Sequence, residues 1–185
     1  MMMPEALFCH RDFPTDTVSR IEVTVDLLSA GKFLFQYKLV GAIDQLVLPE
    51  PLLPERSDEL WQQTCFEAFV GAPDDPAYLE LNFSPSGQWA AYAFSSNREG
   101  MSDLELVDAP HIESSISAGS FELVAEIDLS GLSVLDTAVL ELALTAVVAE
   151  KNGRKSFWAL SHASANPDFH NRDSFLHKIE MAESR

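Results

Sequence analysis

The most regular feature of the chain is an alternation of hydrophobic and polar residues with a period of two. The first run covers residues 21–27, where every second residue is hydrophobic, and the next covers residues 33–39. Because successive side chains of a β-strand point to opposite faces, this period predicts strands with one buried face. The Ala30-Gly31 pair between the two runs favours a tight turn, so the two strands are predicted to form a hairpin.

Later parts of the chain repeat this pattern and offer little helix. Alternating runs cover residues 121–129 and 140–148, and Asn152-Gly153 then marks a tight turn. The best helical candidate is a single turn over residues 57–61, with Ser57 as its N-cap. Many short strands separated by Gly, Pro, Asn and Asp predict an all-β fold with minimal helix, a two-sheet antiparallel β-sandwich of the jelly-roll type.

Length and composition predict one domain over residues 1–185, with an irregular N-terminal segment over residues 1–17. The chain has 185 residues, of which 46% are hydrophobic and 22% are charged, and these are ordinary values for a globular protein. The formal net charge is −17, and the twelve Lys and Arg residues are scattered. A nucleic-acid partner is therefore not expected, because phosphate binding needs clustered basic side chains.

The sequence shows neither a signal-peptide pattern nor a membrane-spanning run, so we expect a cytoplasmic protein with no membrane partner. Cys9 and Cys65 are then expected to be free thiols. Cys65 lies within a predicted strand, away from any helix N-terminus that would make it a nucleophile. The glycines form no phosphate-binding motif, so we expect no nucleotide cofactor and predict no bound cofactor.

Three consecutive strands between positions 65 and 94 carry unusual polar residues. Glu67 lies in the otherwise hydrophobic run 65–70, where a carboxylate must be hydrogen-bonded, paired or exposed in a groove. The second strand has a polar face formed by Tyr78, Glu80, Asn82 and Ser84, and its opposite face is hydrophobic. The third strand, residues 88–94, carries Ala90, Ala91 and Ala93, whose short side chains are predicted to leave a shallow trough.

Residues around this trough have the chemistry of a sugar site. Carboxylate, amide, hydroxyl and guanidinium groups bind sugar hydroxyls, and an aromatic ring covers the apolar face of a sugar. The candidates are Trp61, Glu67, Asn82, Ser84 and Arg98. A structural alternative remains open, in which Trp61 is an ordinary rim aromatic and Glu67 forms an ion pair with Arg98.

Several sequence runs resemble those of bacterial DOMON-like proteins, which are similar to family 9 carbohydrate-binding modules. The shared pattern is a Trp before a strand with an acidic residue, then a strand that ends in an Asn-x-x-Pro-x-Gly-like turn. The runs are Leu-Trp-Gln-Gln-Thr-Cys-Phe-Glu-Ala-Phe-Val (60–70), Tyr-Leu-Glu-Leu-Asn-Phe-Ser-Pro-Ser-Gly (78–87), Trp-Ala-Ala-Tyr (89–92), Phe-Trp-Ala-Leu-Ser-His (157–162) and Pro-Asp-Phe-His (167–170). The resemblance covers nearly the whole chain.

The resemblance implies a β-sandwich that binds a sugar or a related small polar molecule near Trp61, Glu67, Asn82 and Arg98. Family 9 modules hold a sugar between two tryptophans, and Trp158 is the candidate for the second one.

The resemblance also raises two cofactor alternatives. Some DOMON domains bind haem through Met and His, a pair that Met101 could form with His162 or His170. Family 9 modules can bind calcium, for which Asp74 and Asp75 are candidates, although adjacent aspartates are also typical of a solvated turn.

A second group of candidate residues follows position 158, namely His162, Asp168, His170 and Asp173. Histidine and carboxylate together can bind zinc or transfer protons. The structural alternative is a loop held by hydrogen bonds of the two aspartates and anchored by Phe169 and Phe175.

Three functional hypotheses follow from the sequence. The leading one is a non-catalytic module that binds a small polar ligand, most simply a carbohydrate. The second is an enzyme or metal site, which requires Glu67 to converge with His162 or His170 in one cleft. The third is a protein-interaction domain, which a flat surface or an exposed edge strand would favour. The sequence specifies no oligomeric state.

Overall fold

A computed structural model describes residues 3–181 and shows twelve β-strands in that part of the chain. The strands are β1 Glu5–Cys9, β2 Val18–Ser29, β3 Lys32–Gly41, β4 Cys65–Gly71, β5 Tyr78–Phe83, β6 Trp89–Phe94, β7 Ser102–Asp103, β8 His111–Ser117, β9 Ser120–Asp128, β10 Val139–Ala149, β11 Lys155–Ala159 and β12 His177–Glu180. Between residues 3 and 181 the helical segments are four single 3₁₀ turns, Ile43–Gln45, Leu60–Gln62, Ser133–Leu135 and Arg172–Ser174. The all-β prediction is confirmed.

Helices in this described region are too short to cross a membrane.

The predicted hairpin is present: β2 and β3 pair antiparallel, with Val23 opposite Tyr37. Gly31 lies in the turn with φ of +88°, a conformation that glycine adopts without steric cost.

The N-terminal segment differs from the sequence prediction. Residues 5–9 form β1 within the segment 1–17 that was predicted to be irregular, while Met1 and Met2 lie outside the described residues. Leu7 is the buried hydrophobic residue of β1, so a five-residue strand leaves almost no periodic signal in the sequence.

Strand pairing produces one continuous antiparallel sheet that curls around the core, in the manner of a half-barrel. Its order is β7-β6-β5-β4-β10-β11-β1-β2-β3-β9-β8, and β12 pairs with β10 off this path. β1 makes the sheet continuous, because residues 5–7 pair with β2 while Phe8 and Cys9 pair with β11. The expected division into two separate sheets is therefore not observed, because a pattern of buried faces does not specify which strands pair.

The main core lies between two arms of this curled sheet. We call β2, β3, β8 and β9 the β2 arm, and β4–β7 with β10–β12 the β4 arm. Aromatic rings connect them, with centroid distances of 5.0 Å for Tyr37–Phe66 and 5.6 Å for Phe35–Phe83. The Tyr37 hydroxyl donates to the Glu67 carbonyl oxygen at 2.7 Å, so the core tyrosine also fixes the backbone of β4.

The β4 arm is buried on its outer face as well as on its core face. Every residue of β4 and β5 is buried, and a second hydrophobic cluster lies on the side away from the main core. Its buried members are Phe69, Tyr78, Ala90, Tyr92, Phe94, Ala143, Val147, Ala159, Phe169 and Phe175. The last two come from residues 160–176, which we call the C-terminal segment, and this segment covers the outer face.

Candidate functional site

A cavity of about 610 Å³ opens on the outer face of the β4 arm. Three other pieces of chain complete its walls: residues 57–63, called here the Trp61 loop; residues 95–101, called the Arg98 loop; and the C-terminal segment. The lining residues are Asp58, Glu59, Trp61, Glu67, Phe69, Glu80, Tyr92, Phe94, Arg98, Met101, Asp103, Val147, Phe157, Pro167, Phe169 and His170. The volume is within the range of small-molecule pockets, about 300–1,000 Å³.

Strand alternation places the polar side chains of the cavity floor. Glu67 pairs with Asn82 across β4 and β5, and Glu80 pairs with Tyr92 across β5 and β6. Side chains at these positions point to the outer face, because their neighbours Phe66, Leu81 and Ala91 lie in the main core. Two carboxyl groups are thereby brought to one floor.

Glu67 is 3% exposed and has few partners. The Thr145 hydroxyl donates to its Oε2 at 3.4 Å, and within residues 3–181 no basic side chain lies within 4.0 Å of it. Burial raises the pKa of Glu67 well above its ordinary value, and the negative charge of Glu80 raises it further, while the Thr145 hydrogen bond lowers it. Glu67 is thus a buried acid that tends to hold its proton.

Glu80 is 8% exposed and is held from two sides. Asn82 Nδ2 donates to its Oε1 at 2.9 Å, and His170 Nε2 lies 3.6 Å from its Oε2. Burial raises the pKa of Glu80, against the lowering effects of the Asn82 hydrogen bond and the positive charge of Arg98. Burial thus favours the protonated form of both carboxyls. A protonated carboxyl can donate a hydrogen bond, whereas an ionised carboxylate only accepts.

His170 is neutral in this environment. The Arg98 amide donates to the Tyr78 hydroxyl at 3.1 Å, so that hydroxyl is free to donate to His170 Nδ1, 2.7 Å away. This network assigns the ring proton to Nε2, which faces Glu80. Burial lowers the pKa of His170 to about 4, assisted by the charge of Arg98 and opposed by that of Asp168.

Arg98 reaches the cavity without pairing with Glu67. It adopts a left-handed backbone conformation with φ of +57°, and its Nη2 donates to Asp168 Oδ1 at 2.8 Å. The Glu67–Arg98 ion pair that the sequence left open is therefore not formed. The C-terminal segment supplies the carboxylate instead, because the Asp168 side chain also accepts from the His170 amide at 3.2 Å and is held in place.

Trp61 stands at the cavity mouth and is 50% exposed. It belongs to the 3₁₀ turn Leu60–Gln62, which follows Glu59 in a left-handed conformation with φ of 57°. Lys155 Nζ lies 5.9 Å from the centroid of the indole ring. An exposed indole at the mouth of a cavity can stack on the flat face of a ligand ring.

Sequence reasoning missed several lining residues. Tyr92 donates to Asp58 Oδ1 at 2.6 Å, and burial with this contact raises the Tyr92 pKa. The alternation of side chains along β6 could have identified them, because Tyr92 and Phe94 alternate with Ala91 and so face the cavity. The alanines that were expected to form a trough do not line the cavity: Ala91 and Ala93 face the main core, and Ala90 is buried beneath the outer cluster.

Three predicted ligand contacts lie outside the cavity lining. Asn82 is buried beside it, where its Oδ1 has no hydrogen-bond partner among the described residues. Ser84 accepts a hydrogen bond from the Ser86 hydroxyl at 2.9 Å within the turn after β5. Trp158 packs in the main core, with Nε1 donating to Ser156 at 2.9 Å. Its neighbour Phe157 has the opposite orientation and lines the cavity, so Trp158 cannot reach a ligand there.

The four residues suggested as a metal or acid–base group are not brought together. His162 Nε2 lies 2.8 Å from the Phe8 carbonyl oxygen, and its ring is 4.7 Å from that of His10, away from the cavity lining. Asp173 is exposed and lies in the middle of the 3₁₀ turn Arg172–Ser174. Among residues 3–181 no group of three or more His, Cys, Asp and Glu side chains is arranged to hold a metal ion.

The C-terminal segment matches its structural interpretation in part. Its anchors Phe169 and Phe175 are buried, and Asp168 accepts hydrogen bonds from Arg98 and from the His170 amide. The side chain of Asp173 does not hold the loop, since Asn171 is the residue whose side chain caps this turn.

The remaining cofactor candidates lie in two places, the cavity and the loop after β4. Met101 and His170 both line the cavity, but both nitrogens of the His170 ring face protein partners. Asp75 accepts from the Ala77 amide at 2.9 Å in the loop after β4, as expected for a turn aspartate.

Three solved structures share this fold. A protein from Bacteroides uniformis ATCC 8492, named as a "putative carbohydrate-binding protein", aligns with a TM-score of 0.70 and 16% identity over 97% of this chain and 86% of its own. A family 9 carbohydrate-binding module from Caldicellulosiruptor kristjanssonii in complex with cellotriose aligns with a TM-score of 0.56 and 13% identity, over 94% of this chain and 80% of its own. The same kind of module from that organism in complex with glucose aligns with a TM-score of 0.53 and 11% identity, over 93% of this chain and 82% of its own.

At these identities the likeness establishes a shared fold, in line with the resemblance found in the sequence. No protein-family model and no curated protein sequence matches the chain.

Proposed function

We propose that this chain is a non-catalytic binding module for a small carbohydrate, which it holds in the outer-face cavity of the β4 arm. One observation carries the proposal: an exposed indole, Trp61, stands at the mouth of a cavity whose floor presents the buried carboxyls of Glu67 and Glu80. An apolar platform above a few directed polar groups is the arrangement that binds a sugar ring.

The polar groups of the cavity suit hydroxyl ligands. Sugar hydroxyls both donate and accept hydrogen bonds, so they need partners of both kinds. A protonated Glu67 can donate, an ionised Glu80 can accept, and the guanidinium of Arg98 donates near the mouth. In this proposal Asn82 does not touch the ligand and instead orients Glu80 through its 2.9 Å hydrogen bond.

The fold comparisons support the same class of ligand. Two of the structures with this fold are family 9 modules in complex with cellotriose and with glucose. Glucose and cellotriose are therefore the first probes, and a cavity of about 610 Å³ has room for either end of such a molecule.

The proposal is tested by thermal unfolding and calorimetry with glucose and cellotriose. A ligand at about 100 times its Kd that binds only the native state stabilises it by about 2.7 kcal/mol, which raises Tm by roughly 5–10 °C in a domain of this size. Trp61→Ala should weaken binding about tenfold or more by removing the stacking surface. Phe8→Ala is the matched control, since Phe8 is an exposed aromatic that does not line the cavity.

Equal affinities of wild type and Trp61→Ala for a sugar that binds would refute the proposed site, and absence of binding by every carbohydrate probe would refute carbohydrate binding. Loss of affinity in Phe8→Ala to the same extent would point to a general effect on the fold instead of a contact at the mouth.

An enzymatic role is the second candidate, because Glu67 and His170 do line one cavity, as the enzyme hypothesis required. His162 does not take part, since it lies away from this lining. The test is prolonged incubation with cellotriose, followed by chromatography of the products. Release of glucose that is abolished by Glu67→Gln would replace the binding-module proposal with a hydrolase.

A further inference from the structure

The cavity has a strong imbalance of charge. Its acidic lining residues are Asp58, Glu59, Glu67, Glu80 and Asp103, whereas within the described part of the chain Arg98 is its one lining residue with a permanent positive charge. Arg98 is already paired with Asp168, a carboxylate outside the lining, at 2.8 Å. The lining therefore holds five acidic side chains and one guanidinium, and Glu67 and Glu80, whose protonated forms burial favours, can ionise when a bound cation supplies the missing partner.

Nearby cations offset one of these carboxyls, that of Asp103, and leave the others without a cation. Arg56 lies behind the wall, where it pairs with Asp103 at 2.8 Å and donates to the Ala91 carbonyl oxygen at 2.7 Å. Lys155 is near Trp61 at the mouth and does not line the cavity. His170 is neutral, because its Nδ1 accepts from the Tyr78 hydroxyl.

The carboxyl of Glu67 is weakly bonded for a buried group. Glu67 is 3% exposed, and within residues 3–181 its carboxyl accepts one hydrogen bond, the 3.4 Å contact from the Thr145 hydroxyl to Oε2. A buried carboxylate without a cation is costly. A ligand that brings a positive charge and several donors would satisfy it.

Sheet geometry places the second carboxyl where one ligand group can reach both. Glu67 pairs with Asn82, and Glu80 lies two residues before Asn82 on the same face, so the two are diagonal neighbours with backbones about 7–8 Å apart. A primary ammonium carries three donors and can bridge two carboxyls at such a separation. The aromatic side chains of Phe69 and Tyr92 flank this position and suit the rest of a ring.

We propose that the cavity selects a small carbohydrate that carries a protonated primary amine, with its ammonium group between Glu67 and Glu80 and its sugar ring against the aromatic walls. This rests on the proposed function and names the ligand class within it. Neutral sugars lack the positive charge that the floor needs, and N-acetylated sugars have lost it.

Calorimetry at about pH 6, where an amine of this type is protonated, tests the proposal with four probes. The probes are glucosamine, glucose, N-acetylglucosamine and cyclohexylamine. Glucosamine should bind at least about tenfold more tightly than glucose or N-acetylglucosamine, the ratio expected for one charge-assisted contact. Glu67→Gln and Glu80→Gln should each reduce that ratio about tenfold, while Glu126→Gln, an exposed carboxylate of β9, should leave it unchanged.

The outcomes separate this proposal from the broader one. Equal affinity for glucosamine and glucose, or a ratio that neither glutamine variant changes, overturns the amine selectivity and leaves carbohydrate binding intact. Binding of cyclohexylamine without glucosamine overturns the carbohydrate part, and silence from all four probes overturns both. A thermal melt of each variant without ligand verifies that it is folded. If one of the two carboxyl variants is unfolded, the other still tests the proposal.

Discussion

Acidification should destabilise this protein through His170, and the magnitude follows from its surroundings. Because burial lowers the pKa of His170 from 6.5 to about 4, the native state prefers the neutral ring. The unfolded chain takes up a proton at about pH 6.5, whereas the native protein does so only near pH 4. The contribution of His170 to stability is therefore complete above pH 6.5 and is lost as the pH falls towards 4.

A change of pKa from 6.5 to about 4 corresponds to about 3 kcal/mol in the free energy of unfolding. The His170 side chain is 13% exposed, so solvent screening reduces this figure only modestly. Glu67 and Glu80 act in the opposite direction, since their raised pKa values favour the folded state at low pH. The contribution of His170 is therefore obtained as the difference between the unfolding free energies of wild type and of a variant at position 170.

The perturbation is His170→Asn, which removes the titrating ring. Urea unfolding followed by fluorescence of the three tryptophans gives the unfolding free energy of wild type and variant between about pH 7.5 and pH 4. The variant will be less stable at neutral pH because it loses ring contacts with Phe69 and Phe94. Over the acid range, however, it should lose about 3 kcal/mol less than wild type.

His111→Asn is the matched control, since His111 lies on β8 with its side chain 73% exposed, and its pH profile should follow that of wild type. Parallel profiles for wild type and His170→Asn would refute the assignment of a buried neutral imidazole at position 170.

Two further predictions concern stability in the absence of ligand. Glu67→Gln should raise the free energy of unfolding at about pH 8 by about 1–2 kcal/mol, because it removes a buried carboxyl without a cationic partner. Since the folded pKa of Glu67 is raised, this gain should disappear towards pH 4 in urea titrations, and a less stable variant at pH 8 would contradict it. Gly31→Ala should cost about 1–3 kcal/mol in the same assay, because φ is +88° and a Cβ would lie 2.7 Å from the Ser130 Cα. Gly153→Ala is its control: φ is +86° but a Cβ there meets no atom within 4 Å, so an equal cost in both would show that steric contact with Ser130 is unimportant.

Strand periodicity predicted most of the local structure and one half of the site. The runs at 21–27 and 33–39 lie within β2 and β3, and the run at 121–129 extends one residue past the end of β9. The same parity placed Glu80 and Asn82 on one face and drew attention to Glu67, and these three residues do meet on the outer face. Local pattern succeeds here because side-chain direction within a strand depends on backbone geometry alone.

The other half of the site could not be predicted, because it depends on chain segments that are distant in sequence. An ion pair between Arg98 and Glu67 was left open as the structural alternative, but Arg98 pairs with Asp168, since the C-terminal segment returns across the β4 arm. Trp158 was considered as a second ligand-stacking aromatic. Its side chain lies on the face of β11 that packs into the main core, and Phe157 lies on the face that lines the cavity. Arg98 and Asp168 are separated by 70 residues, a distance along the chain that no local pattern encodes.

By itself, the sequence determined that this protein is a β-protein, which face of its regularly alternating strands packs into the core, and that polar residues break the hydrophobic pattern between positions 67 and 98. Those properties follow from side-chain chemistry and the two-residue period of a strand. Tertiary structure alone decided that β1 joins the two arms into one curled sheet, that the C-terminal segment closes a cavity, and that two carboxyls share its floor without a cation. Each of these depends on contacts across the fold, where burial and neighbouring charge set the chemistry of a side chain.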